Sequence, residues 1–304
     1  MNKVLEPNVY EAMGLPVSPF MKGCMAMTLV LLVWSGFALT VRGIGVSPLT
    51  IADVMLIRFL VPLVLLIPWA FSYLDEIRNV RLSDVVFILL GGVPFILLAS
   101  LGAKTAPTAY IGIILAGTPP IFVALLSFAL YRTKITAKKR FSLSIILAGV
   151  IAMIAGNSEG FSKELMQGIG YLFTASLVWS GYTVGLRRAK LHPMVVAIVL
   201  SYASFLIVLA STFMSGAKMN LGQVSFSDAL PFILVQGLGV GVLATICFSY
   251  AVNHLGSSKV SVIGSISPCL TALFAVFIFS ESLTMTVSCG IVLSVIGVIL
   301  SSRS

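Results

Sequence analysis

Charge is what this chain has least of. Asp, Glu, Lys and Arg make up only 10% of its 304 residues, where an ordinary soluble domain carries about 25%. With 59% hydrophobic residues and a mean hydropathy of +1.10, there is too little polar surface to cover a water-soluble fold. A soluble enzyme, a disordered tail and a disulfide-built secreted module are excluded together. Cysteine is scarce as well: Cys24, Cys247, Cys269 and Cys289 lie singly in apolar stretches, with no C-x-x-C pair and no His at metal spacing. They read as small buried hydrophobes. His192 and His254 are too far apart in the chain to mark a site. The motifs H-E-x-x-H and G-x-S-x-G are missing, as are paired intramembrane aspartates, so an enzymatic role has no residues to rest on and no cofactor is expected. Residues 1–19 carry Lys3, Glu6, Glu11 and three prolines, unlike a short basic leader, and the first apolar run is long enough to be retained.

What fills the chain instead is long apolar runs. Runs of 17 to 25 residues suit bilayer-spanning helices. They fall at 20–41, 49–72, 83–103, 106–131, 139–156, 166–186, 192–214, 229–251, 258–279 and 284–302. The fold class expected is an all-α membrane protein of ten transmembrane helices. A basic balance of +9 in a soluble chain would point to nucleic acid, but here the cations sit in loops, so no nucleic-acid partner is expected. One side of the alternation receives Lys3, Lys22, Arg78, Arg81, Arg132, Lys134, Lys138, Lys139, Arg140, Arg187, Arg188, Lys190, Lys259 and Arg303; the other has Arg42, Lys104, Lys163 and Lys218. The positive-inside rule then places both termini in the cytoplasm.

The chain also repeats itself. Leu32-Val33-Trp34-Ser35-Gly36 recurs letter for letter as Leu177 to Gly181, 145 residues later. Pro48 and Pro193, and Phe87-Ile88-Leu89 and Phe232-Ile233-Leu234, share that offset. At an offset of 148, Pro120 meets Pro268, Thr136 meets Thr284, and Gly149-Val150-Ile151 meets Gly297-Val298-Ile299. Five spans per copy is an odd number, so the second copy enters the membrane upside down. Inverted repeats of this kind serve alternating access in secondary transporters. The organisation expected is a cytoplasmic arm over 1–19, a first five-helix repeat over 20–156, an external linker over 157–165 and a second repeat over 166–304.

These residues resemble the drug/metabolite transporter superfamily, in particular its EamA-type ten-helix permeases. The resemblance covers about residues 20–303 and rests on the two Trp-Ser-Gly motifs, the Arg58-Phe59 pair, Leu255-Gly256-Ser257-Ser258-Lys259, Ser267-Pro268, Glu281-Ser282-Leu283-Thr284 and the stretch from Gly290 to Gly297. Where the first half would carry a matching Glu, this chain has Thr133 between Arg132 and Lys134. The resemblance implies export or exchange of small metabolites, often amino acids, through a cavity between the halves. Drug efflux or metabolite uptake are alternatives within the fold, and a membrane-embedded enzyme is the alternative outside it. The expected setting is the inner membrane of a bacterium, as a monomer or weak homodimer in the lipid bilayer.

Within that frame, candidate substrate-binding residues are Trp34, Ser35, Arg58, Thr118, Trp179, Ser180, Ser265 and Ser267. Arg58 is the one cation well inside a span, about eight residues or roughly 12 Å from the end near Thr50. A charge at that depth costs several kcal/mol unless paired or hydrated; it either anchors a substrate carboxylate or phosphate or caps backbone carbonyls. Trp34 and Trp179 occupy equivalent mid-span places, where cavity lining and close helix packing beside Gly36 and Gly181 compete. Pro119, Pro120 and Pro268 interrupt their spans and are candidate hinges, since freed backbone in lipid must face protein or a watery cavity. The run Gly237-Leu238-Gly239-Val240-Gly241 lacks the strand–turn–helix setting of a nucleotide loop and reads as small-residue packing. Spans 1, 3, 4, 6, 8 and 9 have no mid-span carboxylate, so exchange or facilitated diffusion is expected over proton coupling.

Overall fold

A backbone in lipid must satisfy its own hydrogen bonds, and helices do so within one segment. The computed structural model describes residues 19–44, 47–106, 108–155, 162–264 and 285–302, with single positions between 266 and 277, and among them there is no strand. The helices are α1 (Pro19–Gly43), α2 (Ile51–Leu65), α3 (Ile67–Ser72), α4 (Leu74–Arg78), α5 (Leu82–Leu90), α6 (Val93–Ala103), α7 (Thr108–Gly112), α8 (Pro119–Tyr131), α9 (Ala137–Ala155), α10 (Lys163–Ala189), α11 (Pro193–Ser215), α12 (Phe226–Phe232), α13 (Thr245–Leu255), α14 (Ser257–Gly264) and α15 (Met285–Ser302). Two wide-turn stretches, Ile113–Gly117 and Ile233–Ala244, join α7 to α8 and α12 to α13. Five of the described stretches are long and apolar enough to cross a bilayer: Pro19–Gly43, Leu82–Ala103, Tyr110–Tyr131, Pro193–Ser215 and Phe226–Leu255. Their lengths, 22 to 30 residues, match the roughly 20 residues that a hydrocarbon core demands.

The breaks have local causes. Gly91 and Gly92 lie between α5 and α6, where side chains of α10 and α11 come too close for a Cβ: one on Gly91 would lie 2.7 Å from Tyr182 Cγ, and one on Gly92 2.3 Å from Ser204 Oγ. Pro119 and Pro120 are not inside a continuous helix. They take the first two positions of α8, where their missing N–H groups leave no bond unmade. Thr118, just before them, donates its hydroxyl to the Ile114 carbonyl at 2.7 Å. At the head of α2, Thr50 and Asp53 form a reciprocal capping box, which satisfies two otherwise orphan donors.

The ends of the bundle differ in charge. At one end Arg42, Lys104 and Lys218 stand around a common cleft. At the other, Arg188 pairs with Asp84 at 3.8 Å, Arg187 donates to the Asn253 carbonyl at 2.8 Å, Lys139 meets the Ser258 hydroxyl, and Lys259 lies over the Phe20 ring. These contacts join α5 to α10, α10 to α13, α9 to α14 and α14 to α1, so that end is tied together by polar and cation–ring links. His192 belongs to the same end. It caps α11 by accepting the Met194 N–H at 3.3 Å and stacks on Tyr73 at 4.8 Å. Burial lowers its pKa from the usual 6.5, with Glu76 pulling weakly the other way. The folded state therefore favours the neutral ring, the form able to accept. That contribution is present above pH 6.5 and lost as pH falls below it. Melting of the purified protein should drop between pH 7.5 and 5, and His192→Ser, which keeps a cap, should flatten the drop.

Positions 145 residues apart make matching contacts. Gly36 packs on Val235 and Gly181 on Leu90, and the partners are themselves 145 apart. Ser35 donates to the Leu31 carbonyl at 2.9 Å and Ser180 to that of Ser176 at 2.7 Å. Trp34 and Trp179 meet edge to face, ring centroids 5.5 Å apart.

Candidate functional site

The two tryptophans stand at the middle of an aromatic column. On the side toward Arg42, Phe37 stacks on Phe95 at 5.9 Å. On the other, Tyr182 stacks on Phe248 at 5.9 Å, and Trp179 touches Phe95, Tyr182 and Phe248 with centroids 4.8, 4.9 and 5.2 Å away. Rings at these separations attract one another beyond simple burial. Between them lies a small chamber of about 40 Å³, walled by Trp34, Phe37, Arg58, Phe95, Trp179, Ser267 and Thr271 among others. That is room for one water or so, so a substrate enters only if rings or helices shift.

Among the described residues Arg58 is the chamber's one charged group. It is 4% exposed, and α2 projects it inward seven residues after Ile51, about 10 Å along the helix. Its Nη1 donates to Gln236 Oε1 at 2.8 Å; Gln236 Nε2 donates to Thr40 Oγ1 at 2.9 Å; and Thr40 donates to the Phe37 carbonyl at 2.9 Å. The guanidinium also lies 5.3 Å from the Phe37 ring centre and 6.0 Å from that of Phe59, which offers cation–π attraction. No carboxylate faces it among the described residues. A guanidinium has five N–H donors, and in the described contacts one is engaged. Thr271, 2% exposed, lines the same chamber, and its hydroxyl has no partner among the described residues. With no counter-ion among the described residues, the remaining guanidinium N–H groups and the Thr271 hydroxyl are donors from which an anion can accept.

Of the sequence candidates, the structure brings Trp34, Arg58, Trp179 and Ser267 to this chamber. Ser35, Thr118 and Ser180 turn elsewhere: Ser35 bonds its own helix, Thr118 and Ser176 share a 2.6 Å bond, and Ser180 bonds the Ser176 carbonyl. Their hydroxyls knit helices. Ser265 and Pro268 lie outside the described residues. The sequence reading missed Gln236, Thr40, Phe37, Phe95 and Thr271. Gln236 alone carried a signal, as an amide in an otherwise apolar run. Asp53, the carboxylate nearest in sequence, faces away from the chamber. It accepts from the Thr50 N–H and hydroxyl, each at 2.8 Å, and from the backbone N–H groups of Asn220 at 3.0 Å and Leu221 at 3.2 Å.

Beyond the Phe37–Phe95 pair, toward Arg42, the cleft opens to about 870 Å³. Met55 lines it, one turn from Arg58 on α2, and so does Val41, one turn from Phe37 on α1. The vestibule and chamber are thus stacked in series.

Residues 166–303 match the family model described as the EamA-like transporter family. An uncharacterised transporter of Archaeoglobus fulgidus is 25% identical over 286 residues, covering 91% of this chain and 96% of its own length. One of Clostridium kluyveri is 25% identical over 262 residues, 83% of each chain, and one of Synechocystis is 26% identical over 200 residues, 62% of this chain and 57% of its own. A solved crystal structure shares the fold, with a TM-score of 0.68 at 18% identity, over 92% of this chain and 96% of that one.

Proposed function

From the premise that the chain is an EamA-type protein of the drug/metabolite transporter superfamily, an integral membrane transporter whose second half matches the EamA-like family, we propose that it exports small metabolites, amino acids and related carboxylates foremost, from a bacterial cytoplasm. The route is alternating access between two inverted five-helix halves, with both termini cytoplasmic. The observation that carries this reading is Arg58: a buried guanidinium with no carboxylate partner among the described residues, in a chamber at the meeting of the repeat-related tryptophans.

Three further observations support it. The matching contacts of Gly36 with Val235 and Gly181 with Leu90 are what two copies related by an in-plane axis would make. The cations gather in the larger number at the end that the positive-inside rule makes cytoplasmic. Asp53 has its oxygens held by four N–H and O–H groups, which suits a structural carboxylate and favours exchange or facilitated diffusion over proton coupling. Purified protein in liposomes loaded with an unlabelled amino acid should take up the labelled compound by counterflow, chemically unchanged. If no flux above empty liposomes is seen with amino acids, organic acids, nucleosides or sugars, the proposal fails.

A further inference from the structure

The vestibule has walls that are graded in one direction. On α6, Val93, Leu97, Ser100 and Lys104 line it, at spacings of three and four residues that stack on one helix face. The stripe runs from apolar through a hydroxyl to a cation. Across from it, α11 presents Ile207, Ser211 and Ser215, with Lys218 just beyond. Arg42 at the end of α1 completes the rim. Three cations therefore ring the mouth, and among the described residues no Asp or Glu lines the vestibule or the chamber below it. Ser100 is 3% exposed and its hydroxyl has no partner among the described residues, although a buried hydroxyl without a bond costs on the order of 1–3 kcal/mol. A ligand atom placed there would relieve that cost.

We propose that the vestibule is a binding site for an organic anion with an apolar body, and that among the carboxylates named above such anions are bound in preference to zwitterionic amino acids. The inference rests on the transport reading above and narrows its substrate. A zwitterion would bring an ammonium group past three cations to Arg58 without meeting one carboxylate along either wall. An anion meets a cationic rim, the Ser100 hydroxyl, an apolar band and then the guanidinium. On the orientation proposed above this mouth faces outside, so the rim acts on the anion taken up there during exchange, and its attraction at a distance fades with salt. At about 870 Å³ the vestibule lies within the size range of small-molecule sites.

Three probes share one body and differ in charge: 3-phenylpropionate, phenylalanine and phenethylamine. Their binding to the purified protein in neutral detergent is measured at low and high salt, for the wild type and for the triple variant Arg42→Gln, Lys104→Gln and Lys218→Gln. The wild type should bind the anion about tenfold or more tightly than the zwitterion and leave the cation unbound, with affinity falling as salt rises. The triple variant should lose about tenfold at low salt and most of its salt dependence. Equal or better binding of phenylalanine, or no binding of the anion, overturns the inference whether or not the variant folds. So does displacement of 3-phenylpropionate by anionic phospholipid added to the micelles, which would assign the rim to lipid headgroups. Protein that carries phenylalanine in liposomes without preferring the anion refutes this inference alone. Protein that binds the anion yet moves none of the probes refutes transport and leaves the site standing.

Discussion

Replacing Arg58 with Gln is expected to abolish substrate binding while leaving the folded protein as stable as before, or more so. The two halves of that expectation come from different physics. Removing one partner of a buried, charge-assisted pair costs about 2–5 kcal/mol of affinity, which is roughly 30-fold to several thousand-fold at 1.4 kcal/mol per decade. The apo protein loses something else: a buried charge held by one hydrogen bond to Gln236 at 2.8 Å and by the Phe37 and Phe59 rings. Neutralising such a group is often neutral or stabilising. A guanidinium that merely supported the helices would give the opposite pair of results, a lower melting temperature with transport intact. Lys at the same place should not rescue binding, because a single ammonium cannot hold Gln236 and present a fork to an anion together. Gln236→Glu makes the argument sharper. It installs beside the guanidinium the carboxylate that the described chamber lacks, so the internal ion pair should compete with substrate. Binding measured by titration should fall as far as in Arg58→Gln while the melting temperature rises.

Arg58 was legible in the sequence because hydropathy isolates a charge inside an apolar run. Gln236 stood out only as an amide in an apolar run; its role depends on a residue 178 positions earlier and on the wide turns of Ile233–Ala244. The glycines around it did read correctly as contact points: Gly237 lies against Val61, and a Cβ on Gly241 would fall 2.8 Å from the Arg58 carbonyl. Phe37 and Phe95 were hidden for another reason. In a chain this apolar an aromatic facing a chamber and one facing lipid have the same neighbours in sequence. The positions of most helices were plain from run length, with ends displaced by a few residues. The interruptions at Leu66, Tyr73 and Gly91–Gly92 were not plain, since nothing in an apolar run announces where a neighbouring helix passes. The rim of the vestibule was counted residue by residue in the charge asymmetry, yet a count by sides cannot tell that Arg42, Lys104 and Lys218 converge.

The second large effect concerns how closely α10 approaches α5, and two glycines on the same helix isolate it. A methyl added at Gly185 would sit 2.3 Å from Phe87 Cβ, 2.7 Å from its Cγ and 2.9 Å from its Cδ1. A ring can swing away from an intruder, but a Cβ is fixed to its backbone, so the helices themselves must separate. Membrane helices hold together by such close packing, with little hydrophobic drive to compensate for a gap. Separation would also disturb Arg188 one turn on, which reaches across to Asp84 at 3.8 Å, to the Ser83 hydroxyl at 3.1 Å and over the Phe87 ring at 5.8 Å. Gly185→Ala should therefore cost about 1–3 kcal/mol or more, and Gly185→Leu should yield no monodisperse protein by size-exclusion chromatography. Gly170, four turns earlier, has no atom within 4 Å of where its Cβ would be. Gly170→Ala removes only backbone freedom and should raise stability by about 0.5–1 kcal/mol. If both alanine variants melt alike, α10 is not held by contact at Gly185. If only the Gly185 variant collapses, the packing of α10 on α5 sets the frame in which Trp179, four residues past the Ala175 that packs in the same core, is presented to the chamber.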